Sequence, residues 1–464
     1  MKNDKCILAS LALAAVLAGC AVGPDYQRPE VQTPVAFKEG QGYWVKAAPA
    51  DTLERGPWWQ LFEDPVLNDL ASRVDVDNQN VAIAVARYEQ ARALLAVQRA
   101  SLFPTVNLTG SAARAGGQGS TRRGSSYQFG IGAAWEPDVW GRLRRSVEGA
   151  QAGEQAGAAD LQAAKLATQG ELAASYFNLR QLDIARSLQA STIASFQRSL
   201  GITSNRYDAG IAARTDVLQA QTVLANAQAE LLLLDRQRAV LEHAIAVLVG
   251  RPPAGFDLAP REAGALVVPE VPLALPSTLL QRRPDIAAAE RRVAQANAQI
   301  GVAEAGYYPS LTLTGSAGGA AASITSLFDV SARFWTLGAS VAQTVFDAGA
   351  TRARVEGARA AHDEEAARYR QTVLTAFQDV EDQLVAARVL RDQLAFRQQA
   401  TEAANLVEQQ VLNRYQAGQV GYTEVVIAQV AALNARQALA QASSDRQVAA
   451  VALIQSLGGG WAGL

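Results

Sequence analysis

The 464-residue chain carries a formal charge of −2, so it offers no basic footprint for nucleic acid, and its two histidines, His243 and His362, lie in helical runs rather than in a ligand cluster. Aromatic residues make up 6% while small apolar residues abound, a balance suited to helices packed closely side by side. Prolines are unevenly spread: none lies between Pro137 and Pro252 and none follows Pro309, so each of these spans can hold very long helices, which argues against a string of compact globules.

Residues 1–19 read as an export signal. Lys2 and Lys5 form its positive start, and residues 7–18 form an apolar stretch too short to cross a bilayer as a helix. It ends in Leu17-Ala18-Gly19-Cys20, which resembles a bacterial lipobox: small residues admit the peptidase, and the Cys20 thiol takes a diacylglyceryl group. The alternative is an ordinary cleaved signal with an incidental cysteine. Ala21 stands where an aspartate would resemble an inner-membrane retention signal, which favours the outer membrane. Cleavage removes Cys6, leaving the mature chain without a disulfide partner or a cysteine metal site. A proline-rich stretch, residues 20–66, follows as a linker.

From residue 67 onward one unit is used twice. Phe103-Pro104-Thr105-Val106-Asn107-Leu108-Thr109-Gly110-Ser111-Ala112 returns 205 residues later as Tyr308-Pro309-Ser310-Leu311-Thr312-Leu313-Thr314-Gly315-Ser316-Ala317. Val147-Glu148-Gly149-Ala150 returns at Val355, and Arg206-Tyr207-Asp208-Ala209-Gly210 returns as Arg414-Tyr415-Gln416-Ala417-Gly418, both 208 residues on. The copies span residues 67–250 and 277–457, separated by a proline-rich segment at 251–276 and followed by a tail at 458–464.

Each copy opens with a predicted helix, residues 67–101 and 277–305; Pro284 and Asp285 suit a first helical turn, where proline lacks nothing and a carboxylate meets the positive dipole end. A hairpin follows. Val106 and Leu108, then Tyr127, Phe129 and Ile131, alternate with small or polar residues, as do Leu311 and Leu313, then Trp335, Leu337, Ala339 and Val341. Alternation of this kind fits membrane-barrel strands of roughly 9 to 11 residues, and equally an ordinary soluble hairpin with one buried face. The loops predicted at 114–124 and 318–325 are rich in Gly, Ser and Ala and would lie outside the cell. Four strands cannot close a barrel with a usable lumen, and open edges cannot sit in lipid, so strands in a membrane require several chains to share one barrel. Three copies would give twelve strands.

Each hairpin leads into a helical pair. The first run, residues 142–206, would extend roughly 97 Å at about 1.5 Å per residue. Its partner, after Gly210, carries Val217, Ala220, Leu224, Ala227, Leu231, Leu234, Leu241, Ile245 and Leu248 at 3-4 spacing, broken at Arg238; the second copy repeats this with Val425, Ala428, Ala432, Ala435, Leu439, Ala442, Ala449 and Leu453, broken at Arg446. Further alanines off this seam would let each helix pack neighbours on both flanks, making a wall that can close into a tube. A two-stranded stalk is the plainer alternative.

Taken together the residues resemble the outer-membrane factors of tripartite efflux systems, the TolC-like proteins, in their NodT-type lipoprotein branch. The resemblance rests on Gly23-Pro24-Asp25-Tyr26, Arg28-Pro29, Trp58-Trp59, Trp135-Glu136, Gly141-Arg142-Leu143-Arg144, Leu280-Gln281-Arg282-Arg283-Pro284-Asp285-Ile286, Tyr308-Pro309 and Leu457-Gly458-Gly459-Gly460-Trp461, in that order. It implies a mixed, mostly α fold: a homotrimer with a transmembrane β-barrel of four strands per chain, a long antiparallel coiled-coil α-barrel, and an equatorial belt made from the termini and residues 251–276. Implied partners are a periplasmic adaptor and an inner-membrane pump, commonly proton-driven. The resemblance also sets Arg206, Tyr207, Gly210, Arg414, Tyr415 and Gly418 at a periplasmic tip that meets the adaptor; in their own right Gly210 and Gly418 suit left-handed helix caps. Just beyond, Asp216, Tyr422, Thr423 and Glu424 become candidates for the pore constriction, though Thr215-Asp216 and Thr423-Glu424 are also good helix-starting pairs. Where the family often has a gate aspartate and arginine, this sequence has Ile427 and Val430, which points to an apolar constriction gated by dewetting.

No catalytic constellation and no phosphate-binding glycine loop is present, so the expectation is a channel rather than an enzyme, lipid-anchored at Cys20 in the outer membrane of a Gram-negative cell, needing no cofactor and powered elsewhere. An exit duct for type I protein secretion and a non-conducting trimeric lipoprotein stalk are the rival readings.

Overall fold

The structure, a computed structural model, describes residues 21–39, 56–116, 124–261, 268–269 and 282–459. Cys20 and the signal at 1–19 lie outside the described residues, as do parts of the predicted linker, inter-repeat and tail segments. The chain divides into two compact units, Met1–Val31 with Arg87–Ala158 and Ala288–Gln371, and Gln32–Ala86 with Ala159–Ala287 and Thr372–Leu464.

Helices α1 (Pro65–Asp77) and α2 (Gln79–Ala100) precede strands β1 (Thr105–Ala115) and β2 (Gly124–Trp135); α3 (Arg142–Asp208) and α4 (Arg214–Leu248) complete the first copy. The second copy has α5 (Pro284–Glu304), β3 (Ser310–Ala321), β4 (Arg333–Ala342), α6 (Ala350–Gln416) and α7 (Tyr422–Ser456). Helices α3 and α6 each have 67 residues, and α4 and α7 each have 35, so the duplication seen in the sequence extends to element length.

Two expectations are corrected. The opening helix predicted over 67–101 is two helices, because Asn78 leaves the helical region at φ −70 and ψ 127 and its Oδ1 accepts from the amides of Asn80 and Val81, an N-cap that restarts the chain. The Asn78 amide group also donates to the Leu248 carbonyl at 2.6 Å, which fixes that break against α4. The strands also outrun their predicted ends. β1 continues through Ala115 and β3 through Ala321, since alternating small residues pair as readily as large ones when cross-strand partners are available, so the loops begin later than predicted.

In the first unit the two hairpins join into one antiparallel sheet of order β1-β2-β3-β4. Rungs such as Val106-Ala133-Gly315-Leu337 and Leu108-Ile131-Ala317-Trp335 run straight across it. Residues on one rung share a face. Val106, Leu108, Tyr127, Phe129, Ile131, Trp135, Leu311, Leu313, Trp335, Leu337 and Val341 therefore stand on one side, and Thr105, Asn107, Thr109, Ser111, Gln128, Thr312, Thr314, Ser316, Thr336 and Ser340 on the other. Phe334 departs from this sorting on the polar side, and Arg114 and Arg333, near the strand ends, depart from it on the apolar side. Among the described residues Phe328 packs on Phe129, with ring centroids 6.3 Å apart, and the rest of the apolar face stands open: Trp335 is 74% exposed and Leu337 81%.

In the second unit, α3 packs on α4 through Ile193, Phe196 and Ala227, and on α7 through Ser444 Oγ to the Phe177 carbonyl and Gln429 to Ser199. α7 in turn meets α6, where Thr401 Oγ1 donates to the Ala435 carbonyl. Along most of their length the helices thus lie in the order α4, α3, α7, α6, and near the turns α4 also meets α7 through Ala220 and Val425. Sixteen residues of α7 are buried against seven of α4, as expected of an inner and an edge member of the row. Trp58, Trp59, Phe62, Leu67 and Val74 close a core against Leu172, Tyr176, Ile245 and Ile454. The seam break at Arg238 is an ion-pair centre: its guanidinium meets Asp183 at 2.7 Å and Glu242 at 3.2 Å, and it also donates to the Leu258 carbonyl.

Candidate functional site

The two helix-to-helix turns end α3 and α6 in the same way. Gly210 at φ 72 and Gly418 at φ 74 occupy the left-handed region that a side chain would strain. The Gly210 amide donates to the Tyr207 carbonyl at 2.8 Å and that of Ile211 to Arg206 at 2.8 Å; the Gly418 amide donates to Tyr415 at 2.9 Å and that of Gln419 to Arg414 at 2.9 Å. This paired bonding satisfies the carbonyls that a helix end otherwise leaves open.

The side chains do not repeat. Tyr415 is 3% exposed and Tyr207 is 42% exposed. Over the Tyr415 ring lies the Arg206 guanidinium, 5.0 Å from its centroid, which also donates to the Tyr415 carbonyl at 2.9 Å. An arginine from the first turn therefore completes the cap of the second. The Tyr415 hydroxyl bonds the buried Thr203 hydroxyl at 2.9 Å, and its ring packs on Tyr422 with centroids 5.8 Å apart. Ala220 and Val425 complete this small core. Arg414, by contrast, is exposed.

Of the adaptor-contact and constriction candidates, Tyr415 and Tyr422 are each enclosed within their own chain, because the apolar ring area is better sheltered between the two helix pairs than in water. Burial, with the adjoining Tyr415 phenol, pushes the Tyr422 phenol up to about 12. Among the described residues its hydroxyl has no hydrogen-bond partner. The other expected constriction residues remain accessible: Asp216 is half-buried, Thr423 and Glu424 are exposed, and Ile427 is 64% exposed one turn farther along α7. Thr423 reaches Gln219 across the pair at 3.4 Å. These side chains offer carboxylates and an aliphatic group to whatever lies beside them, and among the described residues no cluster of three His, Cys, Asp or Glu side chains could hold a metal ion.

Thr203 and Gln219 escaped the sequence reading, whereas Ala220 was already legible as a seam position. The available signal was the departure from the repeat at position 203, where the second copy has Val411: a hydroxyl one turn before the tyrosine is what gives Tyr415 an internal partner.

The family model described as outer membrane efflux protein matches residues 70–251 and 275–459. The chain is 32% identical, over 98% of its length and 96% of the relative's, to the probable efflux pump outer membrane protein TtgC of Pseudomonas putida. It is 28% identical over 98% of its length and 99% of the relative's to the cation efflux system protein CusC of Escherichia coli. Among solved structures, the outer-membrane channel OprN superposes with a TM-score of 0.86 at 33% identity, covering 95% of this chain and 100% of that one.

Proposed function

The chain belongs to the outer membrane efflux protein family and is the outer-membrane channel component of an efflux pump; from that premise we propose that three copies close a single duct that passively conducts drugs or other small toxic compounds out of the cell. The observation that carries this reading is the sorting of the sheet into one apolar and one polar face, with strands of 11, 12, 12 and 10 residues. Tilted strands of about 9 to 11 residues cross a bilayer, lipid contacts the apolar side, and water fills the polar side. β1 and β4 are each paired on one side only, so lipid would meet open backbone groups unless neighbouring copies supplied the missing partners. A non-conducting stalk would have no use for this sorting.

The helical row has the same unfinished edges. At one end α4 exposes Leu218, Leu232, Val240 and Val247; at the other, α6 exposes Leu374, Val389, Phe396 and Leu406. Apolar stripes of this kind support association of α4 with α6 of a further copy. Three sheets of four strands and three rows of four helices then close together.

At the turns, Tyr207, Arg414 and the backbone around Gly210 and Gly418 are the groups left to meet a periplasmic adaptor, with Arg206 holding the paired turns in place. An inner-membrane pump, proton-driven as in the resemblance, supplies the energy, and the channel performs no chemistry of its own. Cys20 carries the anchoring lipid. Asp216, Thr423 and Glu424 line the constriction, and Ile427 forms its apolar ring.

Two measurements test this. The purified protein should migrate as a trimer and form ion-conducting pores in planar bilayers; a monomer at every concentration, with liposomes no leakier than controls, overturns the duct. Replacing Ile427 with alanine should raise single-channel conductance by widening and wetting the ring. Unchanged conductance removes Ile427 from the gate and leaves the duct standing.

A further inference from the structure

The residues just after the lipobox are held along their length by three later parts of the chain. The Val22 amide donates to the Trp140 carbonyl at 3.0 Å. Arg145, whose side chain is 7% exposed, donates to the carbonyls of Val22 at 3.3 Å and Gly23 at 3.1 Å and pairs with Asp25 at 3.0 Å. Asn297 donates to the Pro24 carbonyl at 2.9 Å, Tyr26 to Glu290 at 2.9 Å, and Arg28 to the Tyr369 hydroxyl at 3.1 Å. Successive partners at 301, 297 and 290 show that the strap runs along α5 against its direction.

The strap passes α5 with no room to spare. Gly23 stands at φ 99, and a Cβ there would collide with the Gly301 Cα. A Cβ on Gly301 would lie 2.8 Å from the Val22 carbonyl oxygen and 2.9 Å from Arg145 Cγ. Trp140, which receives Val22, also donates through its indole to the Pro309 carbonyl at 2.7 Å and stacks on Tyr308 with ring centroids 4.9 Å apart. Pro309 immediately precedes β3. The strap therefore begins at the foot of the sheet, at its helix-bearing end.

We propose that residues 21–28 are a splint that fixes the acylated amino terminus beside the foot of the sheet, so that the lipid chains and the apolar strand face enter the membrane at one depth, and that the Gly23–Gly301 crossing decides whether the splint docks. The proposal rests on the reading of Cys20 as the lipid-bearing residue, one peptide bond before Ala21. A free tether would only keep the protein near the bilayer. A docked one removes the tether's freedom before the strands insert, so sheet and lipid act as one ligand of the membrane.

The test uses the full chain in a Gram-negative host, with Gly301→Leu on the α5 side and Gly23→Ala on the strap side. Leucine suits a helix better than glycine, and Gly23 lies outside every helix, so a folding failure of α5 would affect one variant and spare the other. Both variants should incorporate labelled palmitate as the parent does. Both should exchange the Val22 amide at least ten-fold faster by hydrogen exchange, and both should show less protease-resistant trimer in the outer membrane. Parental exchange rates in both variants overturn the crossing as the docking point. Released straps with parental trimer yield and efflux overturn the splint. A parent that takes up no palmitate removes the anchor reading, and with it the splint's cargo, while the exchange result still reports whether the strap is docked.

Discussion

The turn after α3 and the turn after α6 share the frame Arg-Tyr-x-Ala-Gly and the same capping bonds, yet one tyrosine is inside and the other is in solvent. Local sequence fixes the backbone in both. What differs is the company. Tyr415 finds Thr203 and Tyr422, while the positions equivalent by the 208-residue repeat around Tyr207 are Val411 and Arg214. A duplicated motif has thus divided its work: the second turn supplies the core of the paired turns, and the first supplies the arginine that locks it and a tyrosine left free for contact. A partner binding this end would meet two unlike surfaces on each chain.

The division is broken most severely by truncating the inner tyrosine. Tyr415→Ala should cost about 3–5 kcal/mol, the usual range for emptying a buried aromatic site, whereas Tyr207→Ala should stay within about 0.5 kcal/mol of the parent. Denaturant unfolding followed by the helical circular-dichroism signal, with protease nicking at the turns as a second readout, separates them. Equal losses would mean that the two turns are equivalent after all. Next in size are the arginines. Arg206→Ala removes a charged donor from the Tyr415 carbonyl and a cation from its ring, for a loss of about 1 kcal/mol because the group is half-buried and partly screened. Arg414→Ala, on an exposed side chain, should leave stability unchanged and alter only adaptor binding. A destabilised Arg414 variant with an intact Arg206 variant would reverse the assignment.

The features legible in the sequence were those with local causes. The duplication, the long proline-free helices, the alternating strands and the glycine caps each follow from a few neighbouring residues, and all four appear in the structure. The features that escaped depend on residues far apart. Asn78 breaks a helix because its side chain can cap the next one and reach Leu248, 170 positions on. Arg238, read as an interruption of the seam, is held there by Asp183 and Glu242 and by the carbonyl of Leu258. Nothing local explains Gly23-Pro24-Asp25-Tyr26, whose partners are Gly301, Asn297 and Glu290. At the candidate site, the family resemblance named Tyr422 just past a turn but could not tell which face a helix start would show, since that depends on Tyr415 from the neighbouring helix.

The mildest change sharpens the comparison most finely, because it removes one atom from the inner core. Tyr422 is 1% exposed and its hydroxyl is unpartnered, while the adjacent Tyr415 hydroxyl is bonded to Thr203. A buried hydroxyl without a partner loses its water and gains nothing, so Tyr422→Phe should be neutral or stabilising by up to about 1 kcal/mol, and Tyr415→Phe should cost about 1 kcal/mol. Alkaline unfolding gives an independent reading of the same atom. The Tyr422 phenol is raised from 10.0 to about 12 in the folded chain, so its contribution is complete below pH 10 and is lost as pH climbs through 12, where the unfolded chain releases the proton more readily. Tyr176, pushed up to about 12 mainly by burial, loses its own share over the same window, so the parent should weaken between pH 10 and 12 and the Tyr422→Phe protein should weaken less. Identical alkaline profiles for the two proteins would mean that the Tyr422 hydroxyl has found a partner, water or a neighbouring copy, within the assembled channel.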